Sequence, residues 1–110
     1  MIELSQQDIK ILELMQENAD RSSAEIAEQL NMSQSPCWRR INRLEQEGVI
    51  EKKVALVNRE ALGMDLVAFT TINLSQAGRQ NMEMFEAAVA KLDEVVECYT
   101  MTGAWDYMLK

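Results

Sequence analysis

Apolar residues in the first fifty positions recur at helical spacing. Ile11, Leu14 and Met15 form one stripe, Ile26, Ala27 and Leu30 a second, and Cys37, Ile41 and Leu44 a third. Each stripe follows a start signal. Ser5 with Asp8 three residues on resembles a capping box, with Leu4 and Ile9 placed as its hydrophobic staple. Ser22-x-x-Glu25 reads as a second capping box, and Ser33 is placed to cap a third helix with Pro36 in its first turn, where a missing N–H costs no helix bond. Polar residues 18–21, the short turn Asn31-Met32 and Gly48 punctuate the stripes. Three short helices are predicted.

The pattern then changes period. "VIEKKVALVN" reads as a strand or wing-like extension and "REALGMD" as a hinge. "LVAFTTINL", Leu66 to Leu74, is rich in β-branched and aromatic residues and predicts a strand. Polar "SQAGRQN" follows. Met82, Phe85, Val89 and Leu92 return to helical spacing from about Gln80 to Leu92. Val95 to Met101 predicts a second strand, "TGA" a tight turn, and Trp105 to Lys110 the start of a third. The expected division is residues 1–50, a linking strand and hinge over 51–64, and a β-α-β-β unit over 65–110. Three strands with one helix leave one sheet face uncovered. The expectation is therefore that another chain completes the sheet, or that the sequence is cut short at Lys110.

Composition narrows the function. Apolar residues make up 47% and charged residues 26%, ordinary for a globular chain of 110 residues. No apolar run approaches the roughly 20 residues of a bilayer span. The acidic, polar start and two unpaired-looking cysteines, Cys37 and Cys98, point to a cytoplasmic protein with reduced thiols. The chain contains no histidine, and neither cysteine sits in a Cys-x-x-Cys pair. Imidazole acid/base chemistry is thereby excluded, and the usual zinc sites are not expected. No nucleophile–base pair or phosphate-cradling glycine loop is visible, so no enzyme, metal or cofactor is expected.

The net charge is -7, yet the window from Ser33 to Arg59 holds six basic residues against three acidic ones. A basic surface on an acidic body fits a polyanion that touches one region only. Two helices joined by a short turn, the second carrying that charge, form a helix-turn-helix, whose second helix lies in the DNA major groove. Opposite the Cys37, Ile41 and Leu44 face, at 100° per residue, lie Ser35, Arg39, Asn42 and Arg43, with Gln34 at the N-terminal tip. That set supplies donors for phosphate and guanine and an amide suited to adenine. Arg40, projecting sideways, joins Lys52 and Lys53 as phosphate contacts. Trp38, on the flank, reads as packing beside the core, with contact to sugar and thymine methyl groups as the alternative. The bland alternative for the arginines is ion pairing with Glu45 and Glu47, Arg43 to Glu47 at i,i+4.

The sequence resembles the Lrp/AsnC (feast/famine) regulators. The resemblance rests on "LSxxDxxIL", the second capped helix, "RLExxGVI" and the late "GxxDYxL", in the expected order and spacing. Ser-x-Ser-Pro-Cys-Trp-x-Arg at residues 33–40 places it near the branch of leucine-responsive regulators. It implies an α+β fold: an N-terminal winged helix-turn-helix domain, then a βαββ(αβ) ferredoxin-like sensor domain, here without its last helix and strand. It also implies double-stranded DNA as a partner, a homodimer or higher homo-oligomer, and an amino-acid effector that shifts assembly or DNA affinity. By the same resemblance the turn in "YTMTGAWDYMLK" lines the effector site. A sensing role is thus carried onto Gly103 and Asp106, with Tyr99, Met101 and Thr102 as pocket wall. From the residues alone, the favoured reading of the same stretch is a hairpin turn followed by a strand whose aspartate satisfies backbone donors, and the resemblance brings the sensing role level with it. The alternative function is an architectural, nucleoid-like DNA-binding protein with no effector.

Overall fold

The computed structural model describes residues 2–76 and 78–110. Met1, and Ala77 within the polar segment after the first predicted strand, lie outside the described residues. The chain divides into two compact units, Met1–Leu56 and Val57–Lys110.

The first unit contains α1 (Gln6–Glu17), α2 (Ser23–Gln29) and α3 (Gln34–Gln46). At the start of α1 the capping box is complete: Asp8 N–H donates to Ser5 Oγ at 3.1 Å, and Ser5 N–H donates to Asp8 Oδ2 at 2.9 Å. At α2 only half of the expected box forms, with Glu25 N–H donating to Ser22 Oγ. Ser33 occupies the N-cap of α3 in extended backbone but makes no side-chain cap bond. The turn between α2 and α3 is held by Met32 N–H donating to Ala27 C=O at 2.9 Å, with Asn31 at a φ of 52°. Arg21 closes the other end of α1, donating at 2.7 Å to Leu14 C=O, which also accepts from Asn18 N–H at 3.0 Å.

The three apolar stripes converge on one core of Ile11, Met15, Ile26, Ala27, Cys37, Ile41 and Leu44, with Leu12, Leu14, Leu30, Met32, Val49 and Ile50 packed against it. Burial pushes the Cys37 thiol up, against the smaller opposing pull of Arg40, so Cys37 is an apolar filler. Trp38 departs from expectation: it is 56% exposed, because its position a quarter-turn from the Cys37 face clears the core edge. The predicted strand or wing over 49–58 does not form. Residues 51–57 are exposed and irregular, and no described strand pairs with them to satisfy a ladder.

In the second unit the hinge residues form a short 3-10 turn, Glu60–Leu62, closed by Gly63 at a φ of 73°. Then follow β1 (Thr70–Ile72), α4 (Arg79–Val89), β2 (Cys98–Thr100) and β3 (Tyr107–Leu109). The sheet is antiparallel in the order β1-β3-β2, with Thr70 opposite Leu109 and Cys98 opposite Leu109. All three strands are shorter than predicted. Among the described residues, none pairs with residues 66–68. Tyr107, fully buried, anchors α4 on the sheet: its ring lies 4.6 Å from that of Phe85 and its hydroxyl donates to Glu86 at 2.6 Å. Burial first, and then the Glu86 carboxylate, push its pKa up to about 12.

No helix among the described residues is long and apolar enough to cross a membrane. Because Leu44 is fully buried at the centre of the first unit, Leu44→Ala should destabilise it by about 2–5 kcal/mol. Urea unfolding followed by circular dichroism measures the loss.

Candidate functional site

The outward face of α3 collects the polar side chains that the sequence placed there. Gln34, Ser35, Arg39 and Arg43 are exposed, and Asn42 is half-buried. Among the described residues Arg39 makes no ion pair or side-chain hydrogen bond, so its guanidinium is uncommitted. Lys52 is exposed, while Lys53 lies 3.2 Å from Glu45 in a half-exposed pair. Such exposed pairs are weak and exchange readily for another anion.

The other two arginines of α3 reach toward the start of α1. Arg40 donates to Asp8 Oδ1 at 3.2 Å and to Ser5 Oγ at 3.1 Å. Arg43 sits 3.6 Å from Asp8 Oδ2 and donates to Glu3 C=O at 3.3 Å. The expected Arg43–Glu47 pair therefore gives way to a tertiary one. The reason is burial: Asp8 is 1% exposed, and a buried carboxylate draws a cation far more strongly than Glu47 in open water. Asp8 was legible in the sequence only as a capping residue. Its pairing with α3 spans 32 positions and has no local signature.

Burial raises the Asp8 pKa. The hydrogen bonds from Ser5 and the guanidinium of Arg40 outweigh it and hold the carboxyl below its ordinary value of 3.8. A depressed carboxylate pKa contributes stability above the unfolded value, and that contribution is lost as pH falls through the folded value. Stability of the first unit should therefore decline below about pH 4. The decline should be shallower in Asp8→Asn than in wild type, as read from urea midpoints between pH 7 and pH 2.

In the second unit the turn between β2 and β3 gathers Met101, Thr102, Gly103 and Asp106 at one end of the sheet. Gly103 has a φ of 103°, a conformation that L side chains rarely adopt. Asp106 ties this turn to the end of β1. Its Oδ2 accepts from Leu74 N–H at 2.8 Å, and its own N–H donates to Ile72 C=O at 3.0 Å and Asn73 Oδ1 at 2.9 Å. Tyr99 is set apart from this group. It shares the sheet face of Thr71 and Met108, opposite α4, and its hydroxyl donates to Glu97. A separate cleft of about 450 Å³ lies between α4 and β2, against Glu86, Val89, Cys98 and Tyr107. None of the five residues assigned to the effector borders it.

A helix-turn-helix with a cationic outer face is the architecture of a DNA-binding module, followed in this chain by a small antiparallel sheet carrying one helix. Residues 4–51 match the winged helix-turn-helix DNA-binding family, and residues 67–110 match the Lrp/AsnC ligand binding domain. The proline dehydrogenase transcriptional activator of Rhizobium radiobacter is 39% identical over 103 residues, covering 94% of this chain and 66% of that protein. The crystal structure of an AsnC family transcriptional regulator from Agrobacterium tumefaciens superposes with a TM-score of 0.89 at 34% identity, over 96% of this chain and 69% of that one. A transcriptional regulator from Neisseria meningitidis, solved as a complex with L-Met, superposes with a TM-score of 0.88 at 37% identity, over 97% and 69%. The chain belongs to the Lrp/AsnC family of transcriptional regulators, and it spans about two thirds of the length of these relatives.

Proposed function

We propose that this chain is a sequence-specific DNA-binding transcriptional regulator of the cytoplasm, non-enzymatic, whose assembly or DNA affinity responds to an amino acid. The observation that carries the proposal is the outer face of α3, where Ser35, Arg39, Asn42 and the tip residue Gln34 stand clear of a complete apolar core. Seated in the major groove, Arg39 offers two N–H groups to guanine, and Asn42 a donor and an acceptor to adenine. Arg43, Lys52 and Lys53 lie on the flanks, where phosphates pass. A helix-turn-helix reads a longer site as a dimer. The sheet face opposite α4, with Phe69 64% and Tyr99 52% exposed, offers a surface for a second copy.

Arg39→Ala should cost about 1–3 kcal/mol on a duplex selected by the wild-type chain from a random pool, and little on mixed-sequence DNA. Lys52→Ala should weaken both about equally and flatten the salt dependence. Mobility shifts at several salt concentrations separate these outcomes. An unchanged sequence preference in Arg39→Ala would assign that residue to phosphate instead.

The ligand half of the proposal rests on the match to the Lrp/AsnC ligand binding domain and on the Neisseria relative, whose structure holds L-Met. Gly103 lets a carboxylate approach the backbone of the turn, and Asp106 supplies a negative charge for an ammonium group, with Met101, Thr102 and Tyr99 as neighbours along the chain. Titrating L-Met and the other amino acids into the DNA complex should shift the midpoint of binding or the sedimentation of the protein for at least one of them. Gly103→Val should abolish that shift while leaving DNA binding intact. No response to any amino acid would favour an architectural DNA-binding protein.

A further inference from the structure

We infer that Asp8 sets the DNA selectivity of α3 by withholding Arg40 from DNA and fixing the direction of Arg43. The inference rests on the DNA-binding role proposed above. Asp8 belongs to α1 and is 1% exposed, so it does not itself face a groove. Both of its oxygens are engaged: Oδ1 by Arg40, and Oδ2 by Ser5 N–H and more distantly by Arg43. Arg40 is clamped on two sides, by Asp8 and by Ser5 Oγ, and is only 34% exposed. Arg43, 46% exposed, is steered by Asp8 and the Glu3 carbonyl while its outer edge stays open. Arg39, one residue before Arg40, has none of these restraints.

The consequence is electrostatic. Phosphate contacts raise affinity for every sequence alike, whereas base contacts discriminate. A helix with three mobile arginines would bind any duplex. With one guanidinium bound inward and a second held in a single direction, fewer cations contribute to sequence-independent binding, and Arg39 with Asn42 carries a larger share of the total. Asp8 is thus a positioning residue, acting on DNA through two others.

Asp8→Asn tests this, because the amide oxygen still accepts from Ser5 N–H while the charge that holds Arg40 is gone. On a mixed-sequence duplex the slope of log affinity against log salt should steepen by about one, the value expected for one added phosphate contact. Affinity for that duplex at low salt should rise about tenfold. The ratio of affinities, selected duplex over mixed-sequence duplex, should fall correspondingly. Adding Arg40→Gln to Asp8→Asn should return the slope to the wild-type value, and Arg40→Gln alone should leave it unchanged. A purely structural Asp8 predicts the reverse, with weaker binding to both duplexes and an unchanged or flatter slope, and that result overturns the inference. Should Asp8→Asn fail to fold by circular dichroism, Arg40→Gln alone decides: a slope flattened by about one shows Arg40 already on a phosphate and overturns the inference. Absence of salt-dependent binding by the wild-type chain would remove the DNA-binding role and this inference together. Wild-type binding with a failed Asp8 series removes the inference alone.

Discussion

A carboxylate taken out of water must be compensated, and in the first unit that requirement is met by drawing two elements together. Asp8 is held by the N-cap of its own helix and by the arginines of α3. The apolar core beneath it, from Ile11 to Leu44, favours closeness but has no directional preference of its own. The hydrogen bonds at Asp8 are directional, so they fix how α3 is rotated and slid along α1. A buried ion pair of this kind contributes little net stability once desolvation is counted, and more to defining one arrangement among several. For a helix whose outer face must meet DNA in one register, that arrangement matters more than added stability.

The second unit has no comparable clamp in its interior. Among its described residues the buried side chains are Tyr107 and Val89, and apolar residues such as Phe69, Met84, Leu92 and Val96 remain open. Tyr107 joins α4 to the central strand by ring contact with Phe85 and a hydrogen bond to Glu86, so one residue does much of what a whole core does in the first unit. Apolar area left open in this way is consistent with the second copy proposed for the sheet face. The two units differ in burial: the first encloses a core of seven buried side chains, although Trp38, Val54 and Leu56 stay exposed, and the second buries fewer.

The three helices of the first unit were legible because each rule behind them is local: helical spacing of apolar residues, a serine cap, a glycine stop. The same holds for the outer face of α3, since the positions of Ser35, Arg39 and Asn42 follow from the angle to Cys37 alone. What escaped was tertiary. Trp38 lies close enough to the core in angle for packing, and only the reach of the neighbouring helices leaves it exposed. Arg43 had a partner in reach at Glu47, and only the fold brings the stronger one at Asp8. The strands are shorter than predicted for a related reason: β-branched residues announce a strand, but its paired length depends on which residues bond across the ladder, and among the described residues that is settled only by the fold.

The geometry of Asp106 bears on how a bound amino acid could be felt beyond its own turn. The aspartate is not a free wall residue, for its carboxylate already accepts from Leu74 N–H and its own amide is bonded to the end of β1. An ammonium group arriving there would share the carboxylate with that backbone donor or draw it away. Either outcome alters the bond between the turn and β1, whose Thr71 shares a sheet face with Met108 of β3 and, beyond it, Tyr99 of β2. A ligand at the turn would thus act on the strand that borders the open sheet face, without a long chain of intermediates. For an assembly held by that face, a ligand that favours one geometry of the Asp106–Leu74 bond would favour the assembly built on it.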